Sequence, residues 1–206
     1  MNKLLKILRK LKEKHENDAK NFLKKFKRNY SEKEIFLELC FCILVANSNM
    51  RKTYEIWKKI DKDFLILSKE KLREKLKLLG YRFYNRRSEY IVEAREKINL
   101  LKEILKEKRK ERLRDMLVKN FKGIGYKEAS HFLRNLGYKD FAILDRHVLK
   151  TLKKYKVIEE IPKTLTKKKY LEIEEKLRKI SKKLNISLVE LDFYLFYLSS
   201  KSFPIK

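Results

Sequence analysis

The sequence predicts an all-α fold, and three observations carry that expectation. Glycine and proline number only four and two in 206 residues, which leaves little punctuation for hairpins or sheets. Apolar residues recur at helical spacing through most segments. Helix-start residues of the Ser, Thr or Asp type stand ahead of several of these stretches. The length suits one large or two small cooperative units, and 43% hydrophobic residues supply a core despite 40% charged ones.

Leu4, Leu8, Leu11, Ala19, Phe22 and Phe26 keep helical spacing, so an N-terminal helix docked on the core is expected. A signal sequence is disfavoured, because the segment has no uninterrupted apolar stretch and no small-residue cleavage site. Ser31-Glu-Lys-Glu34 is a capping box opening a helix to about Ala46, which Asn47-Ser-Asn49 breaks. A helix containing Trp57 follows, and Ser68 starts a short one that Gly80 stops. From Phe83 a basic helix runs toward Leu101, with further helical stretches to Lys119. Gly123-Ile-Gly125 turns the chain into a helix that ends at Gly137. Phe141-Ala-Ile-Leu144 reads as a strand-like run ending on Asp145, which is placed to N-cap a helix from His147 to Tyr155. Ile161-Pro162 marks a turn, a helix occupies about Thr166 to Leu184, and Ser187-Leu-Val-Glu190 boxes the last helix.

Lysine and arginine outnumber acids 55 to 28, for a formal charge of +27. Such an excess repels itself in a compact chain, and a polyanion is its simplest partner, since each neutralised phosphate releases counterions. A Lys/Glu-rich surface of thermophilic type fits the complete lack of glutamine, but alone it would lie nearer charge balance. Cys40 and Cys42, one residue apart on a helical pattern, read as buried free thiols in a reducing compartment. No Cys/His spacing supports zinc or an iron–sulfur cluster. The longest apolar run, Ile35 to Ala46, is too short to span a bilayer and carries Glu38.

Chemistry concentrates in one stretch. Gly123 and Gly125 let the backbone turn sharply and approach a phosphate, and the amides that follow open a helix whose N-terminus attracts anions. Lys127 stands two residues after the second glycine, and Asp145 follows 18 residues later. Taken singly, Gly-Ile-Gly is a helix–helix turn, Lys127 one of many surface lysines, and Asp145 a helix cap. Their joint placement points instead to an amine and a carboxylate acting on a nucleic-acid sugar.

Phe121 through Asp145 resembles the hairpin, catalytic lysine and aspartate of the helix–hairpin–helix DNA repair glycosylases, in order and spacing. Asp145-Arg-His147 fits the same pattern, with a structural role expected for the imidazole. Leu79-Gly-Tyr-Arg-Phe83-Tyr-Asn-Arg-Arg-Ser-Glu-Tyr90-Ile resembles the archaeal-type (second-class) 8-oxoguanine DNA glycosylase/lyase family, and Glu190-Leu-Asp-Phe-Tyr-Leu-Phe196-Tyr-Leu its terminal helix. Two departures stand out: Phe196 lies where relatives often carry Trp, and Ser199-Ser-Lys-Ser-Phe-Pro replaces a Thr-Gly-Lys type of tail. The cluster-bearing endonuclease branch is disfavoured by the lack of its four cysteines.

The resemblance implies two helical lobes with an active-site cleft between them. One lobe comprises 1–30 and 140–206. The other is 31–139, ending in the helix–hairpin–helix at about 112–137. It also implies a bifunctional base-excision repair enzyme that takes 8-oxoguanine out of DNA and nicks the strand. Lys127 would attack C1′ to form a Schiff base, β-elimination would follow, and Asp145 would stabilise the cationic sugar. A lysine attacks only as the free amine, a form that desolvation and nearby cations such as Arg146 favour. Phe83 and Phe196 are candidate stacking faces for the extruded base, with ordinary core packing as the alternative. Asn47 is a candidate filler of the vacated stack, with helix-end capping as its alternative. Lys206 is implied as the residue that tells 8-oxoguanine from guanine, and Gly123 and Gly125 as phosphate-binding positions. No cofactor or metal is required, although some relatives hold a monovalent cation at carbonyls matching Phe121 and Ile124. The expected partner is double-stranded DNA containing oxidised guanine, met by a cytoplasmic, nucleoid-associated monomer without membrane attachment. Three other readings stay open: a non-catalytic helix–hairpin–helix DNA-binding protein, a glycosylase for a different damaged base, and a basic ribosome-associated protein.

Overall fold

The computed structural model describes residues 2–26 and 29–204. Among them the chain forms eleven α-helices and one 3₁₀ turn, with no strand. It divides into two compact units, Asn29–Phe132 and Met1–Arg28 with Leu133–Lys206.

The Asn29–Phe132 unit is built around α2 (Glu32–Val45). This helix is apolar on every side, and Phe36, Leu39, Cys40, Phe41, Cys42, Ile43 and Leu44 are all fully buried, as suits a central helix rather than a surface one. Ser31 and Glu34 form the complete capping box at its start. α3 (Met50–Ile60), a 3₁₀ turn (Asp61–Leu65) and α5 (Tyr84–Glu96) pack on it. The Trp57 indole N–H donates to the Leu37 carbonyl at 2.8 Å, satisfying its one polar atom. α4 (Lys69–Leu78) lies against α5 and closes on Gly80 at φ +69. Cys40 and Cys42 are buried and form no disulfide, and burial pushes the Cys40 thiol well above its ordinary range. The single basic helix expected from Phe83 to Leu101 is two helices, α5 and α6 (Ile98–Leu105), separated at Lys97. Lys97 Nζ donates to the Asn120 carbonyl at 3.1 Å, a long-range anchor that no local residue pattern announces.

α7 (Lys110–Asn120) leads to the glycine hairpin, and α8 (Tyr126–Asn135) starts in this unit and ends in the other. α8 closes in a Schellman arrangement, with Tyr138 N to Leu133 O at 3.0 Å, Gly137 N to Arg134 O at 2.8 Å, and Gly137 at φ +90.

The second unit comprises α1 (Asn2–Lys24), α9 (Arg146–Lys154), α10 (Lys167–Leu184) and α11 (Leu188–Ser200). α1 packs on α10 and α11 through Leu4, Leu8, Ala19 and Phe22, and α9 packs on α11. α1 is kinked at His15, and Lys12 Nζ donates to the Leu184 carbonyl at the end of α10. Only the serine half of the expected capping box of α11 is present. Ser187 Oγ accepts from Glu190 N, while the Glu190 carboxylate accepts from the Tyr194 hydroxyl.

The run Phe141–Leu144 is buried but is not a strand. Its backbone groups bond to side chains of α10 instead. Ala142 N donates to Glu174 Oε1 at 3.0 Å, Leu144 N donates to the Tyr170 hydroxyl at 3.4 Å, and that hydroxyl donates to Ala142 O at 2.6 Å. The apolar run is therefore an extended linker whose polar groups are satisfied without a neighbouring strand.

Candidate active site

The hairpin begins where α7 stops. Phe121 turns extended, and Ile124 N closes a turn on the Phe121 carbonyl at 3.2 Å. Gly123 holds φ +81, and a Cβ there would lie 2.5 Å from Arg87 Nη1 and 2.8 Å from Tyr90 Cδ2. Both conformation and space therefore demand glycine at 123. Gly125 has no such positive φ. It caps α8 instead: Ala129 N bonds to its carbonyl at 2.9 Å, and its N–H donates to Glu128 Oε2 at 3.3 Å. The Gly125 amide expected to meet a phosphate is thus engaged by a carboxylate three residues on.

Lys127 stands in the first turn of α8 with 27% of its side chain exposed, and its Nζ lies 2.9 Å from Glu128 Oε1. The Glu128 side chain is 13% exposed and bridges the hairpin amide and the lysine amine with its two oxygens. Glu128, Gly123, Arg87, Tyr90 and Asn47 border an open concavity of about 320 Å³. Arg87 reaches across from α5 to the Ala46 carbonyl at 3.3 Å, with its guanidinium 5.5 Å from the Tyr90 ring centroid. The sequence expectations named neither Arg87 nor Glu128. Arg87 lies among many basic residues; Glu128 stands next to Lys127 and three residues after Gly125, where a glutamate reaches back to the amide that starts a helix.

Asn47 is exposed at φ +59, at the tip of the loop after α2. It directly follows Ala46, the C-cap of α2, while Asn49 caps the start of α3, accepting from Lys52 N at 3.0 Å. Phe83 directly precedes α5, with the Arg82 guanidinium 4.2 Å above its ring and the Tyr81 ring edge-on to it. Phe83, Asn47, Gly123, Gly125 and Lys127 thus share the Asn29–Phe132 unit.

Asp145 and Phe196 belong to the other unit. Asp145 caps α9, its Oδ1 accepting from Val148 N at 2.8 Å. Phe196 lies on α11 with its ring 6.2 Å from that of His147. The sequence assigns no role to Asp192, one turn before Phe196; its signal is an acidic residue, with Glu190, in an otherwise apolar helix. Its Oδ2 accepts from Arg134 Nη1 at 3.2 Å. Burial pushes its carboxyl up to about 7, the guanidinium of Arg134 opposes this, and the charge of Asp145 adds to it. Lys206 lies outside the described residues.

Among the described residues no group of three or more His, Cys, Asp or Glu side chains is placed to hold a metal ion. None of the described helices is long and apolar enough to cross a membrane.

The family described as 8-oxoguanine DNA glycosylase matches residues 15–186. The chain belongs to that family. It is 49% identical over 199 residues to the 8-oxoguanine DNA glycosylase/AP lyase of Methanocaldococcus jannaschii, covering 93% of this chain and 96% of the relative. The crystal structure of the M. jannaschii 8-oxoguanine glycosylase/lyase in complex with 15mer DNA containing 8-oxoguanine superposes with a TM-score of 0.93 at 46% identity, covering 98% of this chain and 99% of that one. The 8-oxoguanine DNA glycosylase of Thermotoga maritima gives 0.91 at 42% identity, with 98% and 99% covered. In this 8-oxoguanine DNA glycosylase family member the helical architecture accords with those structures.

Proposed function

We propose that this chain excises 8-oxoguanine from duplex DNA through a Schiff base on Lys127 and then nicks the strand as an AP lyase. The observation that carries the proposal is Lys127 itself. Among many solvated lysines it sits half-buried in the first turn of the helix after the Gly123 hairpin, in a chain nearly half identical to a glycosylase/AP lyase. A lysine in that environment is a nucleophile for a sugar carbon once its amine is free. Asp145, at the N-terminus of α9, serves as the fixed negative charge that offsets the cation developing on deoxyribose.

The remaining assignments support the same reading. Phe83 and Phe196 stack on the extruded base, Asn47 enters the space it leaves, and Gly123 and Gly125 form the tight turn that receives backbone phosphate while the Gly125 N–H stays with Glu128. Lys206 discriminates 8-oxoguanine from guanine. A monovalent cation at the Phe121 and Ile124 carbonyls belongs to this reading as well. The protein works as a monomer on nucleoid DNA in the cytoplasm, in keeping with its charge of +27.

Sodium borohydride reduction in the presence of a duplex bearing 8-oxoguanine tests the central assignment. A covalent protein–DNA adduct is expected with the native chain and none with Lys127→Gln; an adduct that persists in the variant places the nucleophile elsewhere. Nicking across a panel of lesion-bearing duplexes separates this function from a glycosylase for another base and from DNA binding alone. Removal of Lys206, with 8-oxoguanine and guanine excision compared, tests the source of discrimination.

A further inference from the structure

We propose that Glu128 is the base that receives the proton released by the Lys127 nitrogen during attack on the sugar. The inference rests on Lys127 being the nucleophile and assigns a second residue to its chemistry.

Adjacent residues on a helix point about 100° apart and do not ordinarily face each other. The Lys20–Glu16, Lys58–Glu55 and Lys106–Glu103 pairs follow the usual three- or four-residue spacing, and their side chains are about half exposed or more. Lys127 and Glu128 break that pattern. Glu128 folds back over the start of α8, fixes Oε2 on the Gly125 N–H at 3.3 Å, and thereby presents Oε1 to Lys127 Nζ at 2.9 Å. The carboxylate is thus anchored by backbone and largely shielded from water, whereas a surface pair would be mobile and hydrated. It also borders the concavity lined by Asn47, Gly123 and Arg87. Hydrogen-bond reach of the reacting atom, an anchored orientation and a shielded setting are what a proton acceptor needs.

The step balances as follows. The lone pair of the neutral Lys127 amine forms the N–C1′ bond, and the bond from C1′ to the base breaks with its electron pair leaving on the base. The nitrogen is then cationic with two protons. One passes to the Glu128 carboxylate, giving a neutral secondary amine and a neutral carboxylic acid. The amine is then ready to open the sugar to the imine. At an abasic site the amine attacks C1′ of the open-chain aldehyde, the C=O π pair moves onto oxygen, the same nitrogen-to-Glu128 proton transfer follows, and the oxygen, once protonated, leaves as water to give the imine.

The experiment is single-turnover borohydride trapping on a duplex with one abasic site, with duplex affinity and melting temperature measured alongside. Glu128→Gln still accepts from the Gly125 N–H but takes up no proton at neutral pH; trapping is expected to slow about a hundredfold with affinity unchanged. Glu128→Ala is expected to be equally slow and to be accelerated by added formate, which leaves the native chain unaffected. A native trapping rate in Glu128→Gln overturns the proposal. So does a slow Glu128→Ala that ignores formate, which would mark the carboxylate as structural. If Glu128→Gln melts below the assay temperature, Glu128→Asp carries the test: it should react between wild type and Glu128→Ala, and a rate equal to the alanine variant overturns the proposal. Lys127→Gln runs in parallel. An adduct in that variant removes the nucleophile assignment, whereas no adduct there with native trapping in Glu128→Gln removes only the role of Glu128.

Discussion

Arg134 Nη1 lies 3.2 Å from Asp192 Oδ2, with only 4% and 13% of the two side chains exposed. The guanidinium also bonds to Asn135 Oδ1 at 3.1 and 3.3 Å and lies over the rings of Phe22 and Phe26. A cation this thoroughly satisfied tolerates burial, while Asp192, next to Asp145, holds its negative charge at a cost.

That cost has a pH signature. The Asp192 carboxyl is raised from 3.8 to about 7 in the folded state, so between those values the folded chain binds the extra proton. The contribution is full below about pH 4 and is lost as pH rises through 7, by on the order of 4 kcal/mol at 1.36 kcal/mol per unit. The melting temperature of the native chain should therefore fall between pH 4.5 and 7.5, by roughly this linkage, relative to Asp192→Asn. A difference between the two proteins that does not change with pH would remove the assignment.

Asp145→Asn separates capping from chemistry. Asparagine caps a helix about as well as aspartate, so stability should change by less than about 0.5 kcal/mol. Turnover should drop on the order of a hundredfold or more, because the negative charge proposed to offset the cationic sugar is gone. Duplex binding should persist. Unchanged turnover in single-turnover excision would refute the role given to Asp145.

Gly123→Ala meets a positive φ and two close neighbours, Arg87 and Tyr90. The variant should lose about 1–3 kcal/mol in denaturant unfolding and bind duplex more weakly, since the hairpin must deform. Gly125→Ala should cost less, because its added Cβ meets only the movable end of Glu128 at 3.1 Å.

Tyr170→Phe removes the hydroxyl that bonds to Ala142 O and Leu144 N in the linker before Asp145. Two buried backbone groups lose a partner, at a cost of about 1–3 kcal/mol. Because Asp145 directly follows this linker, excision should slow more than duplex affinity weakens. Parallel measurement of Kd and single-turnover rate checks the split.

Much of this protein was legible without coordinates. The Ser31 box, the Gly80 and Gly137 stops and the Asp145 cap depend on residues a few positions apart, so local backbone chemistry settled them. The same holds for Gly123, whose turn is required by its own φ, and for the charge excess that points to a polyanion. The strand-like run at 141–144 is extended, but its partners were not legible: period and apolarity do not tell a run paired with a strand from one bonded to side chains 26–32 positions away.

The sequence alone thus determined the helical class, the hairpin and the Lys127–Asp145 spacing, because periodicity, capping and turn chemistry act over a few residues. Tertiary structure decided which polar groups are withdrawn from water and what answers them. It brought Asp192 to Arg134 across 58 positions, Lys97 to the end of α7, and Arg87 onto the face of Gly123. Burial and long-range pairing depend on how helices pack, and packing is a property of the whole chain rather than of any window along it.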